Sequence, residues 1–400
     1  MYSVGVDIAK EKSVVAILTE YGEIVAAPKT YEHTRKALLE MNDSIRNLDG
    51  EVRIVLEATG AYHLPVVTFL QEQGFFVAVI NPFIIKKYTA MDIRKVKTDS
   101  ADALKIAAYG VDNWRHLINY LPTEEVYAEM RILNHQYLHY IDVLTKAKLN
   151  LTNLLDRTLP GAKAFFPSLS RASGKDMLCD FVESFWHRDV ISSMSEKRFI
   201  AEYCKWAKKK EYRSSETKAK SLYTNALEGI PTLPSNSPST KMLVLEAVKA
   251  VRETETTLTV ILTRMAGLAK KLPEYDTVRA LPGVGDVMAP RLIAEVGDVR
   301  RFHSAKALVA YAGIDAPPYQ SGNFNGTNRH ISKRGSPTLR KTGYEIMKYI
   351  KTGKPKADTA VYQFMLKKEA EGKPKKVAKI AGLNKFLHIY YARVSALNSI

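Results

Sequence analysis

Cysteine is nearly absent. The two in 400 residues, Cys179 and Cys204, cannot build a disulfide framework, and neither sits in a zinc-binding spacing. Long apolar runs are missing too, since none approaches the roughly 20 residues needed to cross a bilayer. The opening MYSVGVDIAK has no basic segment followed by an apolar core, so no secretory signal is expected. There is no internal repeat, and no low-complexity tract beyond Lys373–Lys376. What remains is ordinary globular composition, 46% hydrophobic and 25% charged, which excludes a disordered or fibrous chain. Acidic residues are the other shortage: 42 Asp and Glu face 59 Lys and Arg, a net charge of +17. A cytoplasmic protein with a polyanionic partner and no membrane role is the expectation.

The surplus is unevenly held. Residues 1–120 carry 14 basic and 15 acidic side chains, residues 121–275 carry 23 and 18, and residues 276–400 carry 22 and 9. Charge gathered in one third of the chain suits a phosphate-facing surface better than a general solubility device. These segments also differ in pattern, which predicts three domains. In the first, strands at 2–8, 13–18, 23–27, 52–56 and 74–80 alternate with helices at 34–48 and 61–73, the last strand closed by Asn81-Pro82. That order predicts an α/β layer with a partly parallel sheet. In the second, long helices over 123–159 and 240–271 flank an insertion at about 160–238. Leu243, Ala247, Val251, Leu258, Ile261, Met265 and Leu268 fall near heptad spacing, so an antiparallel coiled coil is expected, with a compact helical bundle as the alternative. The third is Gly-containing, basic and mainly helical.

Four acids stand out in the first segment. Asp7 ends the first strand and Glu57 ends the fourth, where an open α/β sheet opens onto its ligand crevice. Asp99 and Asp102 are spaced i,i+3 and share one helix face. Singly, each reads as well as a turn former or a helix cap. Together they offer the oxygen donors that suit Mg²⁺, with Mn²⁺ as substitute, and a pair of such ions stabilises both oxygens of a phosphodiester exchange.

In the basic segment, Pro282-Gly283-Val284-Gly285 within 279–299 is similar to a helix–hairpin–helix turn that brings backbone N–H groups to phosphate, although a plain helical corner uses the same residues. Ser336-Pro337 reads as a helix entry. Arg329, Lys333, Arg334, Arg340 and Lys341 have one acid, Glu345, close behind them, a single-signed cluster expected to meet nucleic acid. Lys97, Gly283 and Gly285 join them as expected contacts. Ser321, in Tyr319-Gln320-Ser321-Gly322, has no local His or Asp to activate it and in isolation is a turn residue.

These motifs carry a family resemblance. Val6-Asp7-Ile8-Ala9-Lys10, Glu57-Ala58-Thr59-Gly60, Asn81-Pro82 and Lys97-Thr98-Asp99-Ser100-Ala101-Asp102-Ala103 resemble the Asp-Glu-Asp-Asp domain of bacterial insertion-sequence transposases, whose fold is RuvC-like and ribonuclease-H-like. Pro-Gly-Val-Gly at 282–285, Tyr311-Ala312-Gly313, the Ser321 motif and Ser332-Lys333-Arg334-Gly335-Ser336 with Leu339-Arg340 resemble the same family's C-terminal domain. The resemblance covers about 1–120 and 240–400, and departs from the family at the insertion. It implies that Asp7, Glu57, Asp99 and Asp102 bind metal and that Ser321 is the nucleophile of a DNA recombinase working through a phosphoserine. It further implies a nucleoid-associated homo-dimer or homo-tetramer, in which one subunit's metal domain serves another's serine domain. Element-end and target DNA, and a structured noncoding bridge RNA as guide, are the implied partners. A RuvC-like nuclease using water, with Ser321 a bystander, and a non-catalytic nucleic-acid-binding protein are the rival readings.

Overall fold

Valine-rich strands with continuous runs of buried residues build the first of two compact units, Met1–Pro122 and Thr123–Ile400. The computed structural model describes residues 1–58, 60, 62–90, 98–120, 125–166, 176–316, 320–321, 324–325 and 330–397. Strands β1 (Tyr2–Ile8), β2 (Lys12–Thr19) and β3 (Ile24–Glu32) form an antiparallel meander. After helix α1 (Arg35–Arg46), β4 (Val52–Glu57) pairs parallel with β1; after α2 (Leu64–Glu72), β5 (Phe76–Ile80) pairs parallel with β4. The sheet order is β3-β2-β1-β4-β5.

Period-two alternation splits the sheet's faces. Val4, Val6 and Ile8 join Ile54 and Leu56 under Leu38, Met41 and Ile45 of α1 and Val66, Val67 and Leu70 of α2. On the other face, Val55 and Ala78 meet Ile85 of α3 (Pro82–Thr89) and Ile106 of α4 (Asp99–Asp112). Asn81-Pro82 therefore does more than close a strand. The Asn81 side chain accepts from Phe83 N at 2.9 Å and Pro82 begins α3, where its missing N–H costs nothing.

The second unit begins with α5 (Glu125–Thr158) and continues through short helices α6 (Met177–Ser184), α7 (Arg188–Ser192), α8 (Glu196–Lys209) and α9 (Glu216–Glu228) to α10 (Pro238–Ala269). Helices α5 and α10 run antiparallel: Glu129 meets Arg264 at 2.7 Å and Lys148 meets Glu255 at 2.7 Å. Buried Met130, Tyr137, Leu144 and Leu151 repeat every seven residues, as do Val244, Val251, Leu258 and Met265. The seam runs through Val244, while Leu243 is exposed, one position off the expected stripe. The pair is not a bare arm. Phe166, Phe181, Phe185, Phe199, Tyr203 and Trp206 of the insertion pack with Leu151, Leu155, Val244 and Val251 in one core. Asp180 locks this junction, accepting from Arg252 at 2.6 Å, Lys210 at 2.9 Å and the Tyr212 hydroxyl.

Helices α11 (Tyr275–Arg279), α12 (Gly285–Val296) and α13 (Ala305–Tyr311), the two-residue strands β6 (Gln320–Ser321) and β7 (Phe324–Asn325), and helices α14 (Pro337–Gly353), α15 (Ala360–Ala370) and α16 (Lys375–Leu397) complete the chain. Helix α12 is buried all round from Met288 to Val296 and is the hub of this part, packed against α5, α10 and α14. Among the described residues no helix is long and apolar enough to cross a membrane.

Candidate functional site

Gly5 is the residue that lets α4, which carries two of the four acids, pack against the strand that carries Asp7. Its α-carbon faces α4 so closely that a β-carbon there would lie 2.3 Å from both Ala103 O and Ala107 N, inside van der Waals contact. Ser3 continues the seam, donating to Ala107 O at 2.8 Å. Asp7 lies on the same face of β1 as Gly5, two residues along, so it points toward the helix that Gly5 admits. Val6 is in register with Leu56, which puts Asp7 and Glu57 at neighbouring positions on parallel strands, and Glu57 shares the α4-facing side with Val55. Thr98 caps α4 by accepting from Ala101 N at 3.1 Å, so Asp99 and Asp102 both fall in the first turn. There the helix dipole favours negative charge.

The electrostatics report the crowding. The Asp7 carboxyl is pushed up to about 6, first by burial and then by Asp102, Asp99 and Glu57, with Lys12 opposing. Glu57 is raised as well, by burial and then by Asp102. Two lysines soften the cluster, Lys12 at 3.4 Å from Asp99 and Lys105 at 3.7 Å from Asp102. Among the described residues, no three Asp, Glu, His or Cys side chains stand close enough to hold an ion in the rotamers present. The donor chemistry nevertheless fits a hard divalent cation: all four groups are carboxylates, they repel one another, and a cation would offset the burial and the repulsion that together raise Asp7.

The second unit holds the serine motif. Residues 311–315 and 332–336 are bonded backbone to backbone: Ser332 N donates to Asp315 O at 2.8 Å, Lys333 N to Gly313 O at 3.0 Å and Ser336 N to Tyr311 O at 2.6 Å. A β-carbon on Gly335 would sit 2.0 Å from Tyr311 O, so only glycine allows this approach. These bonds pinch the base of the segment that carries Ser321, whose backbone pairs with Phe324. Ser336 caps α14 as expected, accepting from Leu339 N at 3.1 Å, while Ser332 donates to Asp315.

The expected nucleic-acid contacts divide. Lys97 and Arg329 lie outside the described residues. Lys333, Arg334, Lys341 and Gly285 are exposed. Arg340 is turned inward, donating to Ala312 O at 2.9 Å at the end of α13. Gly283 has a packing role, with φ +74° and a β-carbon direction that ends 2.6 Å from Ile350 Cγ1 of α14. The sequence reading missed Lys12 and Lys105, although the i,i+3 spacing of Asp102 and Lys105 carried a signal for the second. It also missed a buried network on α12. Arg291 donates to Glu345 at 2.9 Å and to Asn134 at 3.3 Å, and Asn134 donates to Glu295 at 2.8 Å. Ser336 adds a bond to the other Glu295 oxygen at 3.3 Å.

Comparison with known proteins finds two family profiles. One, of the DEDD IS110 type and described as Transposase, matches residues 4–160; the other, described as Transposase IS116/IS110/IS902 family, matches residues 275–363. A pilin gene-inverting protein of Moraxella bovis is 33% identical over 112 residues, 28% of this chain and 34% of that one. The transposase for insertion sequence element IS1111A of Coxiella burnetii is 36% identical over 76 residues, 19% of this chain and 21% of that one. An uncharacterized 44.8 kDa protein of insertion element IS116 from Streptomyces clavuligerus is 22% identical over 347 residues, 84% of this chain and 81% of that one. The chain thus spans about a third of the length of the gene-inverting protein it matches.

Proposed function

We propose that this chain, which belongs to the IS116/IS110/IS902 family of transposases, is a DNA recombinase that cuts and rejoins phosphodiesters through Ser321. The observation that carries the reading is the set of four carboxylates placed at two strand ends and one helix turn, with Asp7 pushed up to about 6 by burial and then by the other three acids. Structural acids are normally paired or solvated, and this group is neither fully. The sheet order, three antiparallel strands followed by two parallel ones, supports a RuvC-like, ribonuclease-H-like fold for the first unit. Relatives named as a gene-inverting protein and as a transposase support DNA rearrangement as the outcome.

Asp7, Glu57, Asp99 and Asp102 would hold Mg²⁺, two ions in the fullest version, with Mn²⁺ as substitute. When bound, the metal supplies Lewis-acid polarisation of the scissile phosphate. The Ser321 oxygen loses its proton and bonds to phosphorus, while one deoxyribose oxygen leaves and takes a proton. The resulting phosphoserine keeps the bond energy, so a hydroxyl from a new DNA end can displace Ser321 and restore the phosphodiester without a nucleotide cofactor. Lys333, Arg334, Lys341 and the open N-terminus of α12 at Gly285 would neutralise backbone phosphates. A structured noncoding guide RNA and a homo-dimeric or homo-tetrameric assembly complete the proposal.

The test uses protein co-expressed with the noncoding flanks of its own gene. It is incubated with labelled element-junction DNA and Mg²⁺ and then denatured. Label travelling with wild-type protein, lost in Ser321→Ala and in Asp102→Asn, is the expected result. Cut DNA without adduct, unchanged in Ser321→Ala, replaces this reading with a water-using nuclease.

A further inference from the structure

The insertion is outside both family profiles, and one of its helices presents a surface of single sign. At 100° per residue, Lys197, Arg198, Lys205, Lys208 and Lys209 of α8 fall within an arc of about 120°, and all five are exposed. Glu202, at the edge of that arc, is the one exposed acid on the helix. Glu196 lies toward the other side and pairs with Lys220 at 3.5 Å. Among the described residues none of the five basic side chains has an ion-pair partner. The outer face of α10 shows the ordinary pattern by contrast, with Lys249 between Glu246 at 3.9 Å and Glu253 at 4.0 Å.

We infer that the outward face of α8 binds the phosphodiester backbone of a nucleic-acid duplex. The inference rests on the recombinase reading above, and gives the insertion a task within it. Three observations select this partner. The five charges are spread over about 18 Å of helix, a length along which a duplex offers roughly ten phosphates. A protein partner would want an apolar core to its interface, and none of the large exposed hydrophobics lies on α8. An anionic membrane would take an apolar face into the lipid, but Phe199, Tyr203 and Trp206 are already committed to the insertion core. The face is also held in a fixed place: Asp180 ties Lys210, which follows α8, to Arg252 of α10. Such a surface reads shape and charge, not sequence.

The experiment compares full-length wild type with a variant carrying Lys197→Ala, Arg198→Ala, Lys205→Ala, Lys208→Ala and Lys209→Ala. Lys249→Ala on α10 is the control. Binding to a duplex of about 30 base pairs, as DNA and separately as RNA, is measured against KCl without divalent ions. On DNA the slope of log Kd against log[KCl] is expected to become shallower by about 4, with at least a tenfold loss at fixed salt. The duplex showing the larger change is the ligand of this face. The pair Lys205→Glu with Lys209→Glu repeats the test with two exposed substitutions, should the fivefold variant melt early. Unchanged slopes on both duplexes overturn the inference. If those same variants still form the Ser321 adduct, the recombinase reading survives that failure. A wild-type chain that binds neither duplex and forms no adduct loses both.

Discussion

Two regions hold carboxylates where water is scarce, and they treat them in opposite ways. On α12, Glu295 is fully buried, yet Asn134 and Ser336 donate to its two oxygens and His135 stands 3.5 Å away. The buried Arg291 beside it has Glu345 and Asn134 as partners. In the first unit, Asp7 and Glu57 are only half-buried, but they face two more acids, of which Asp99 pairs with Lys12 and Asp102 with Lys105. The first arrangement is closed: each charge has a partner, and replacing the group leaves others orphaned. The second is open: burial and the neighbouring acids raise Asp7 further than Lys12 lowers it, and they raise Glu57 as well. Compensated buried charge marks architecture, and uncompensated charge marks a place that waits for a ligand.

Substitutions at the two sites should separate them. The largest effect belongs to the open site: Asp102→Asn should cut Mg²⁺-dependent DNA cleavage by about a thousandfold or more while the protein melts normally. Single-turnover cleavage with circular dichroism as control checks both halves. Next comes the closed site. Glu295→Ala should destabilise by about 3–5 kcal/mol in urea unfolding, because Asn134 and Ser336 lose a buried partner, with Glu295→Gln milder. Cleavage by the surviving folded fraction should be near normal. Gly5→Ala sits between the two regimes. Its β-carbon meets Ala103 O and Ala107 N, so about 1–3 kcal/mol of stability should be lost together with activity, as α4 is pushed away from Asp7.

The smallest effect has the opposite sign. With its folded pKa raised from 3.8 to about 6, Asp7 favours folding only while protonated. That contribution is complete below about pH 4 and disappears as pH rises through 6, leaving a penalty above it. Asp7→Asn removes the penalty. In chelator the variant should be more stable than wild type above pH 6 by up to about 1 kcal/mol, after discounting for solvent screening, and the gap should close toward pH 4. Activity should be lost at every pH. A variant less stable than wild type at pH 8 would mean that Asp7 is a structural acid.

What could be read before folding was local. Runs of β-branched and apolar residues located β1, β2 and β4, and the i,i+3 spacing of Asp99 and Asp102 needed only a helix to become a shared face. The Ser336-Pro337 entry was legible for the same reason, since a cap depends on its own neighbours. Long-range pairings were not. Lys12 reaches Asp99 and Arg291 reaches Glu345 through contacts no spacing announces. Arg340 belonged to a basic cluster by sequence, but the free carbonyl at the end of α13 drew it inward. Pro-Gly-Val-Gly fits a phosphate turn and a helix corner equally well, and Ile350, which decides for the corner at Gly283, lies far on in the chain, in α14. The insertion resisted reading because two of its helices are short, eight residues in α6 and five in α7, and too brief to show a period. Its aromatic core joins Phe181 of α6 to Phe199, Tyr203 and Trp206 of α8, which lie far apart in the chain.

The most direct test of the account is to find where the DNA becomes attached. Wild-type protein is reacted with element-junction DNA and Mg²⁺, quenched with denaturant, digested with nuclease and protease, and its peptides weighed. A residual nucleotide on the peptide containing Ser321, absent in Asp102→Asn, is the predicted result. A nucleotide on any other residue, or cleaved DNA with no modified peptide at all, would contradict it.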